Sequence, residues 1–419
     1  MKSSRVVLGV WLALLLATGA AWAQGNFYLK DGDRVVFYGD SITEQRLYTT
    51  FAETYVVTRF PQLQVSFVHS GVGGDRVTGG WAGPIDVRLP RDVFAYKPTV
   101  MTIMLGMNDG SYRAFDPAIF KTYSTGYQHI VDSVKSTLLG VRMTLIQPSP
   151  YDDVTRPAGF EGGYNAVLVR YGQFVKELAQ KEKLDVADLN ASVVAALEKA
   201  KTTDPKTAEK IIQDRVHPSP SGQLLMAEAL LKAWNAPALV TAVEIDAAKV
   251  RAVRAENTAV SDLKESNGLA WTQSDKALPM PVNLKDPAMR LAIQSSDFLQ
   301  ALDWQPLKVT GLKGQRYQLK IDGEEVGTFT RQQLEEGVNL SDLPTPMAKQ
   351  AQAVHDLTVK HNNIHATCWR ELQVTLAQLS LPHLSQAIEA LDDVEADLVA
   401  QQRQTAQPKA RHYELLLQE

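Results

Sequence analysis

Between Asp31 and Trp234 the chain alternates short apolar runs with amphipathic helical stretches, and this alternation leaves few folds open to it. The runs are Val35–Tyr38, Val65–His69, Val100–Leu105, Met143–Gln147 and, more weakly, Leu184–Leu189. Between them, Tyr48, Phe51, Ala52, Tyr55 and Val56 recur at helical spacing, as do Phe120, Tyr123, Tyr127, Ile130 and Val134. Asp116-Pro117 opens the second of these helices and Gly140 stops it; a last helix, Gly222 to Trp234, takes Ser221 as its cap. Strand and helix in strict succession predict an α/β protein with a doubly wound parallel sheet. Such a sheet carries its binding and catalytic loops beyond the carboxyl ends of the strands.

Those ends hold the chemistry. Gly39-Asp40-Ser41-Ile42-Thr43 lies where the first run stops, so the Ser41 hydroxyl is lifted off the sheet edge into a space faced by backbone N–H groups. Gly71-Val72-Gly73-Gly74-Asp75, Gly106-Met107-Asn108-Asp109 and Asp214-Arg215-Val216-His217 follow in order. A serine is a poor nucleophile without a base. His217 can supply one, and Asp214, three residues earlier, can curl back to hold its Nδ1–H and leave Nε2 for the serine proton. The backbone N–H groups of Ser41 and Gly74 and the side-chain amide of Asn108 are the candidate oxyanion donors.

Four such motifs in this order resemble the SGNH (GDSL-like) hydrolase family, over about residues 31 to 235. The resemblance implies a three-layer α/β/α, flavodoxin-like parallel sheet. It assigns catalysis to Ser41, Asp214 and His217, and the oxyanion hole to Ser41, Gly74 and Asn108. His69 departs from the family, whose members often carry asparagine at the start of the second block; local packing is what that departure affects.

Other residues draw plainer readings. Asp40 and Asp109 are expected to tie down their turns with backbone hydrogen bonds. His217 could instead cap the turn before Pro218, but the Asp-x-x-His spacing and the preceding motifs favour catalysis. His361 and His365, four apart on a helical stretch, could share a face and hold a metal; no third ligand is evident, so a solvated helix face is expected. Trp81, Tyr112, Tyr151, Phe160 and Tyr164 fall in loops on the catalytic side, where they either stack on sugar rings or pack down. Gly159 to Gly163, after Pro157, reads as a mobile rim or lid.

Lys2 and Arg5 precede an apolar stretch from Val6 to Leu16, and Ala21-Trp22-Ala23 has the form of a signal-peptidase site. Residues 1–23 therefore read as a signal peptide, making the protein secreted or periplasmic. Losing Lys2 and Arg5 would take the net charge from −4 to −6, a balance that offers no basic patch to nucleic acid or anionic lipid. No segment is long and apolar enough to span a membrane after cleavage, and Cys368, the only cysteine, permits no intrachain disulfide.

The expected division is a catalytic domain over 24–240, a small β-rich unit over 241–340 and a helical region over 341–419 with a polar, loosely ordered tail from Gln401. In the β-rich unit Val243–Ile245, Val260–Leu263, Leu269–Thr272, Leu307–Leu312 and Tyr317–Phe329 look like strands, the last turning at Asp322-Gly323. The reading is a serine ester hydrolase acting through an acyl-enzyme without cofactor or metal, on a small-molecule or saccharide ester, with O-acetylated saccharide favoured. A lysophospholipase or thioesterase is the alternative on the same scaffold. A carbohydrate-binding or O-acetyltransferase assembly protein is the alternative of another class. Oligomeric state is not legible in the sequence.

Overall fold

The structure is a computed structural model in which residues 27–418 are described; the signal-peptide reading of residues 1–23 lies outside them. Five strands, β1 (Arg34–Gly39), β2 (Ser66–Gly71), β3 (Val100–Met104), β4 (Arg142–Ile146) and β5 (Asp185–Ala187), form one parallel sheet in the order β2-β1-β3-β4-β5. Each coincides with a run expected from the sequence. Helices α1 (Leu47–Arg59), α2 (Ile85–Asp92), α3 (Pro117–Thr137), α4 (Gly163–Glu182), α5 (Leu189–Thr203) and α6 (Pro220–Ala233) flank it. Asp116 caps α3 as expected, its Oδ1 accepting from the Ala118 and Ile119 N–H groups at 2.8 and 3.3 Å. The start of α6 differs: Ser219 is the cap position and Pro220 opens the helix, because proline needs no N–H partner in a first turn. Ser221 is buried inside that turn, its hydroxyl 2.9 Å from that of Ser219.

Beyond residue 240 come two further sheets. Strands β6 (Ala242–Asp246), β7 (Arg251–Glu256), β8 (Thr258–Ser266), β9 (Gly268–Asp275), β10 (Pro306–Thr310), β11 (Arg316–Ile321), β12 (Glu324–Thr330), β13 (Val338–Asn339) and β14 (Ala410–Gln418) arrange as β13-β10-β6-β7 and β8-β9-β14-β11-β12. The β11–β12 hairpin turns at Asp322-Gly323, both in the left-handed region (φ 51° and 79°). The tail corrects its expectation. Ala410–Gln418 is the middle strand of the five-stranded sheet, with Tyr413 and Leu415 buried. Its polar composition hides an alternating face, and its partners β9 and β11 lie far back in the chain.

Two long helices, α7 (Pro346–Thr367) and α8 (Leu384–Thr405), bracket a π-helical turn, Cys368–Val374. Helix α7 lies against α1, so every residue of α1 after Leu47 is buried. Met280, Met289, Leu291, Phe298 and Leu302 share one apolar core with the parallel sheet. The chain after 240 thus completes the interior of what precedes it. Among the described residues no helix is long and apolar enough to cross a membrane.

Candidate active site

The β1 strand ends at Gly39, and Asp40 caps the one-turn helix Ser41–Glu44 by accepting the Ile42 N–H at 3.0 Å. That helix sits almost on the strand ends. A Cβ on Gly71 would lie 2.1 Å from the Glu44 nitrogen, so only glycine admits this approach. The Ser41 Oγ stands 2.8 Å from His217 Nε2. His217 Nδ1 is 2.7 Å from Asp214 Oδ2, while Asp214 Oδ1 accepts the His217 and Val216 N–H groups at 2.7 and 3.0 Å. Partial burial pushes the Asp214 carboxyl up, but those hydrogen bonds outweigh it and hold it below its ordinary value.

The base loop is clamped from a segment whose role the sequence did not reveal. Arg156 pairs with Asp152 at 2.9 Å and donates to the carbonyls of Ile212, Glu209 and Gln213 at 2.8, 3.0 and 2.9 Å. Arg215 donates to the Pro157 carbonyl at 2.9 Å. The segment immediately before the Gly159–Gly163 stretch is therefore tethered to the loop that carries His217.

On the opposite side, Gly74 follows β2 with φ +74°, exposed at the surface. Asn108 follows β3; its Nδ2 donates to the Asp75 carbonyl at 3.0 Å and its Oδ1 accepts the Tyr112 hydroxyl at 2.9 Å. Burial and nearby Asp40 push Tyr112 up to about 12, so the hydroxyl stays protonated to donate. Ser111 and Tyr112 both hold φ of 56°, strain that tertiary packing must maintain. Tyr164 supplies part of that packing, with its ring 5.0 Å from Tyr112 and its hydroxyl bonded to the Met107 carbonyl at 2.6 Å. Beneath the site, burial pushes Asp40 and Asp109 each up to about 7. Asp40 holds its own turn as expected, whereas Asp109 reaches across to the loop after β2, accepting the Val77 N–H at 3.0 Å.

The structure thus brings Ser41, Asp214 and His217 into one hydrogen-bonded chain and sets Asn108 and Gly74 on loops at neighbouring strand ends. Such a chain can move a proton off the serine and return it. The aromatics expected in loops divide: Tyr164 lies instead on the first turn of α4 and packs down, whereas Trp81 and Tyr112 remain 53% and 44% exposed. His69 bonds Thr49 at 2.7 Å and Glu53 at 3.2 Å, which is the local packing its departure affects. The His361–His365 face is not solvated. His361 is buried against α1, 2.7 Å from Glu53, and His365 faces Glu395 at 3.4 Å. Among the described residues no group of three or more His, Cys, Asp or Glu is arranged to hold a metal ion.

Residues 37–225 match the GDSL-like Lipase/Acylhydrolase family. An acetylxylan esterase of Geobacillus stearothermophilus is 27% identical over 224 residues, which are 48% of this chain and 93% of that one. Among solved structures, a gut microbial diltiazem-metabolizing enzyme aligns at 26% identity and a TM-score of 0.80, over 94% of this chain and 100% of its own. The first relative covers about half of this chain; the second covers nearly all of it.

Proposed function

We propose that this chain, a carboxylic ester hydrolase of the SGNH (GDSL-like) family, removes O-acetyl or other short acyl groups from a carbohydrate. The observation that carries the mechanism is the chain from Asp214 through His217 to Ser41, with contacts of 2.7 and 2.8 Å. In this reading the Ser41 Oγ attacks the ester carbonyl as its proton passes to His217 Nε2. Asp214 stays ionised and steadies the imidazolium. The oxyanion is met by the N–H groups of Ser41 and Gly74 and by Asn108 Nδ2. Collapse expels the sugar hydroxyl, which takes the proton from His217. Water, deprotonated by His217, then attacks the acyl-enzyme; the acyl–Oγ bond breaks, the proton on His217 passes to Ser41 Oγ and the acid leaves.

The carbohydrate assignment is supported by the acetylxylan esterase relative and by the exposed rings of Trp81 and Tyr112 on the catalytic side. Export after cleavage at Ala23 belongs to the same reading and rests on Lys2, Arg5 and Ala21-Trp22-Ala23. So does the division at 240 and 340, with the amendment that residues past 240 complete the catalytic core. The test is product analysis on acetylated xylo-oligosaccharides, lysophospholipids of graded chain length, and diltiazem. Acetate release from the saccharides, falling steeply as the acyl chain lengthens, is expected. Preference for long acyl chains would establish a lipid hydrolase instead.

A further inference from the structure

The C-terminal extension reaches the catalytic loops at the turn Cys368–Val374, a π-helical geometry that recurs at functional sites. There Trp369 and Val374 pack on Val72 and Ala82, which flank the loop bearing Gly74. The Trp369 indole N–H donates to Asp92 Oδ1 at 2.8 Å, and Asp92 Oδ2 accepts from Arg88 Nε at 2.7 Å. Arg88 also bonds the Asp75 carboxylate, and it donates to the Ser70 carbonyl at 3.2 Å. Asp75, finally, offers its backbone carbonyl to Asn108 Nδ2 at 3.0 Å. The side chains of Asp75, Arg88 and Asp92 are fully buried. Arg370 on the same turn pairs with Glu44 at 2.5 Å, gripping the nucleophile's helix from the other side.

We propose that Trp369 is a positioning residue: through Asp92, Arg88 and Asp75 it sets the loop that carries Gly74 and, by the Asp75 carbonyl, the side chain of Asn108 on the next loop, two of the three oxyanion donors. The inference rests on the oxyanion roles given to those two residues above. The physical reason is that the relay is dry and charged. Arg88 is shared between two buried carboxylates, so its position depends on how each is otherwise satisfied. Asp92 is also gripped by Arg91, whose Nε donates to Oδ1 at 2.6 Å and Nη2 to Oδ2 at 2.9 Å. Without the indole N–H, Oδ1 is left to Arg91 alone, the carboxylate rotates onto it, and Oδ2 shifts under Arg88 and moves that guanidinium against Asp75. The donors then lose their aim at the point where the oxyanion forms, and turnover falls while substrate binding does not. The extension, by this account, is a part of the catalytic apparatus contributed from more than 250 residues downstream of Asn108.

The test is Trp369→Phe, which keeps an aromatic ring and removes the N–H. With a soluble nitrophenyl ester, kcat is expected to fall about 10-fold, short of the roughly 10²–10³ for losing a donor outright. KM should stay within about twofold of the parent, and labelling by a serine-directed phosphonate should slow in proportion to kcat/KM. In an Asn108→Ala background the same substitution should cost less, because the part of its effect that passes through Asn108 is already lost. Leu379→Ala alters an exposed side chain of the same extension that has no part in the relay, so its turnover should match the parent. Parental kcat in Trp369→Phe, or an equal loss in Leu379→Ala, overturns the proposal. Parental turnover in Asn108→Ala alone would instead overturn the oxyanion reading on which it stands.

Discussion

The molecule contains two carboxylate–imidazole pairs of the same length and opposite character. Asp214 and His217 meet at 2.7 Å with side chains 56% and 31% exposed; Glu53 and His361 meet at 2.7 Å with 3% and 2%. In the first pair the second ring nitrogen is turned to the Ser41 hydroxyl. In the second it lies 3.5 Å from Glu395, so both nitrogens face carboxylates. His69 on β2, Asn362 on α7 and Gln402 on α8 crowd the same Glu53 carboxylate. Burial pushes His361 down, but Glu53 and Glu395 outweigh it and bring it up to about 10. Burial raises Glu53 in turn, yet His361 and His69 hold it far below its ordinary value. The buried pair is therefore a fixed ion pair that docks α7 onto α1. What separates a proton shuttle from a clamp is not the pair but the uncommitted nitrogen and the access of water.

Substitutions that disable one pair and spare the other sharpen this contrast. Ser41→Ala should remove phosphonate labelling altogether and lower turnover by on the order of 10⁶-fold, without moving the unfolding midpoint by more than a few degrees. Residual full turnover would break the assignment of the first pair. His361→Gln leaves Glu53 buried without its cation and should cost about 3–5 kcal/mol in urea unfolding, with turnover per folded molecule retained. A stability equal to the parent would show that the second pair clamps nothing. Asn108→Ala should lower kcat by about 10²–10³ and leave KM nearly unchanged.

The pairs should also answer pH in opposite directions. His361 is raised from its ordinary 6.5 to about 10, so its stabilisation is complete below 6.5 and is lost as pH climbs toward 10. Glu53 is lowered from 4.5, so its share is present above 4.5 and disappears only as pH falls through the lower folded value. Turnover, by contrast, should rise with pH across the neutral range, because only a neutral imidazole can take the serine proton. Asp40 and Asp109, both near 7, lose protons in that range as well, so the activity profile should be broader than one ionisation. Melting and rate curves that climb together between pH 6.5 and 10 would contradict the clamp. The smallest effect is expected at Tyr112→Phe, which frees one face of the Asn108 amide; about 0.5–1.5 kcal/mol, or roughly 2- to 12-fold in kcat, is the range for one neutral hydrogen bond.

The catalytic half was legible because its signals are local. A strand buried on both faces must be apolar along its length, and Val35–Tyr38 or Val100–Leu105 shows that in consecutive residues. A nucleophile turn tolerates little but glycine beside it, so Gly39 and Gly71 mark it in the sequence. Asp214 and His217 are separated by one turn of chain and need nothing distant to meet. The extension was read less well. Met347, Ala351, Val354, Thr358 and His361 do recur at intervals of four and three, but two polar members blur the stripe.

By itself, then, the sequence determined the parallel sheet and the order of its loops, and singled out Ser41, Asp214 and His217, with Asn108, as the candidate site. Only the tertiary structure decided that His361 is buried between two carboxylates, that Ala410–Gln418 is a central strand, and that Trp369 stands beside the loop that carries Gly74. The reason is the same in each case. Whether a histidine is charged, a tail ordered or an indole N–H useful depends on the partner it meets. Those partners, Glu53, β9 with β11, and Asp92, lie far away along the chain and reach these groups only through packing.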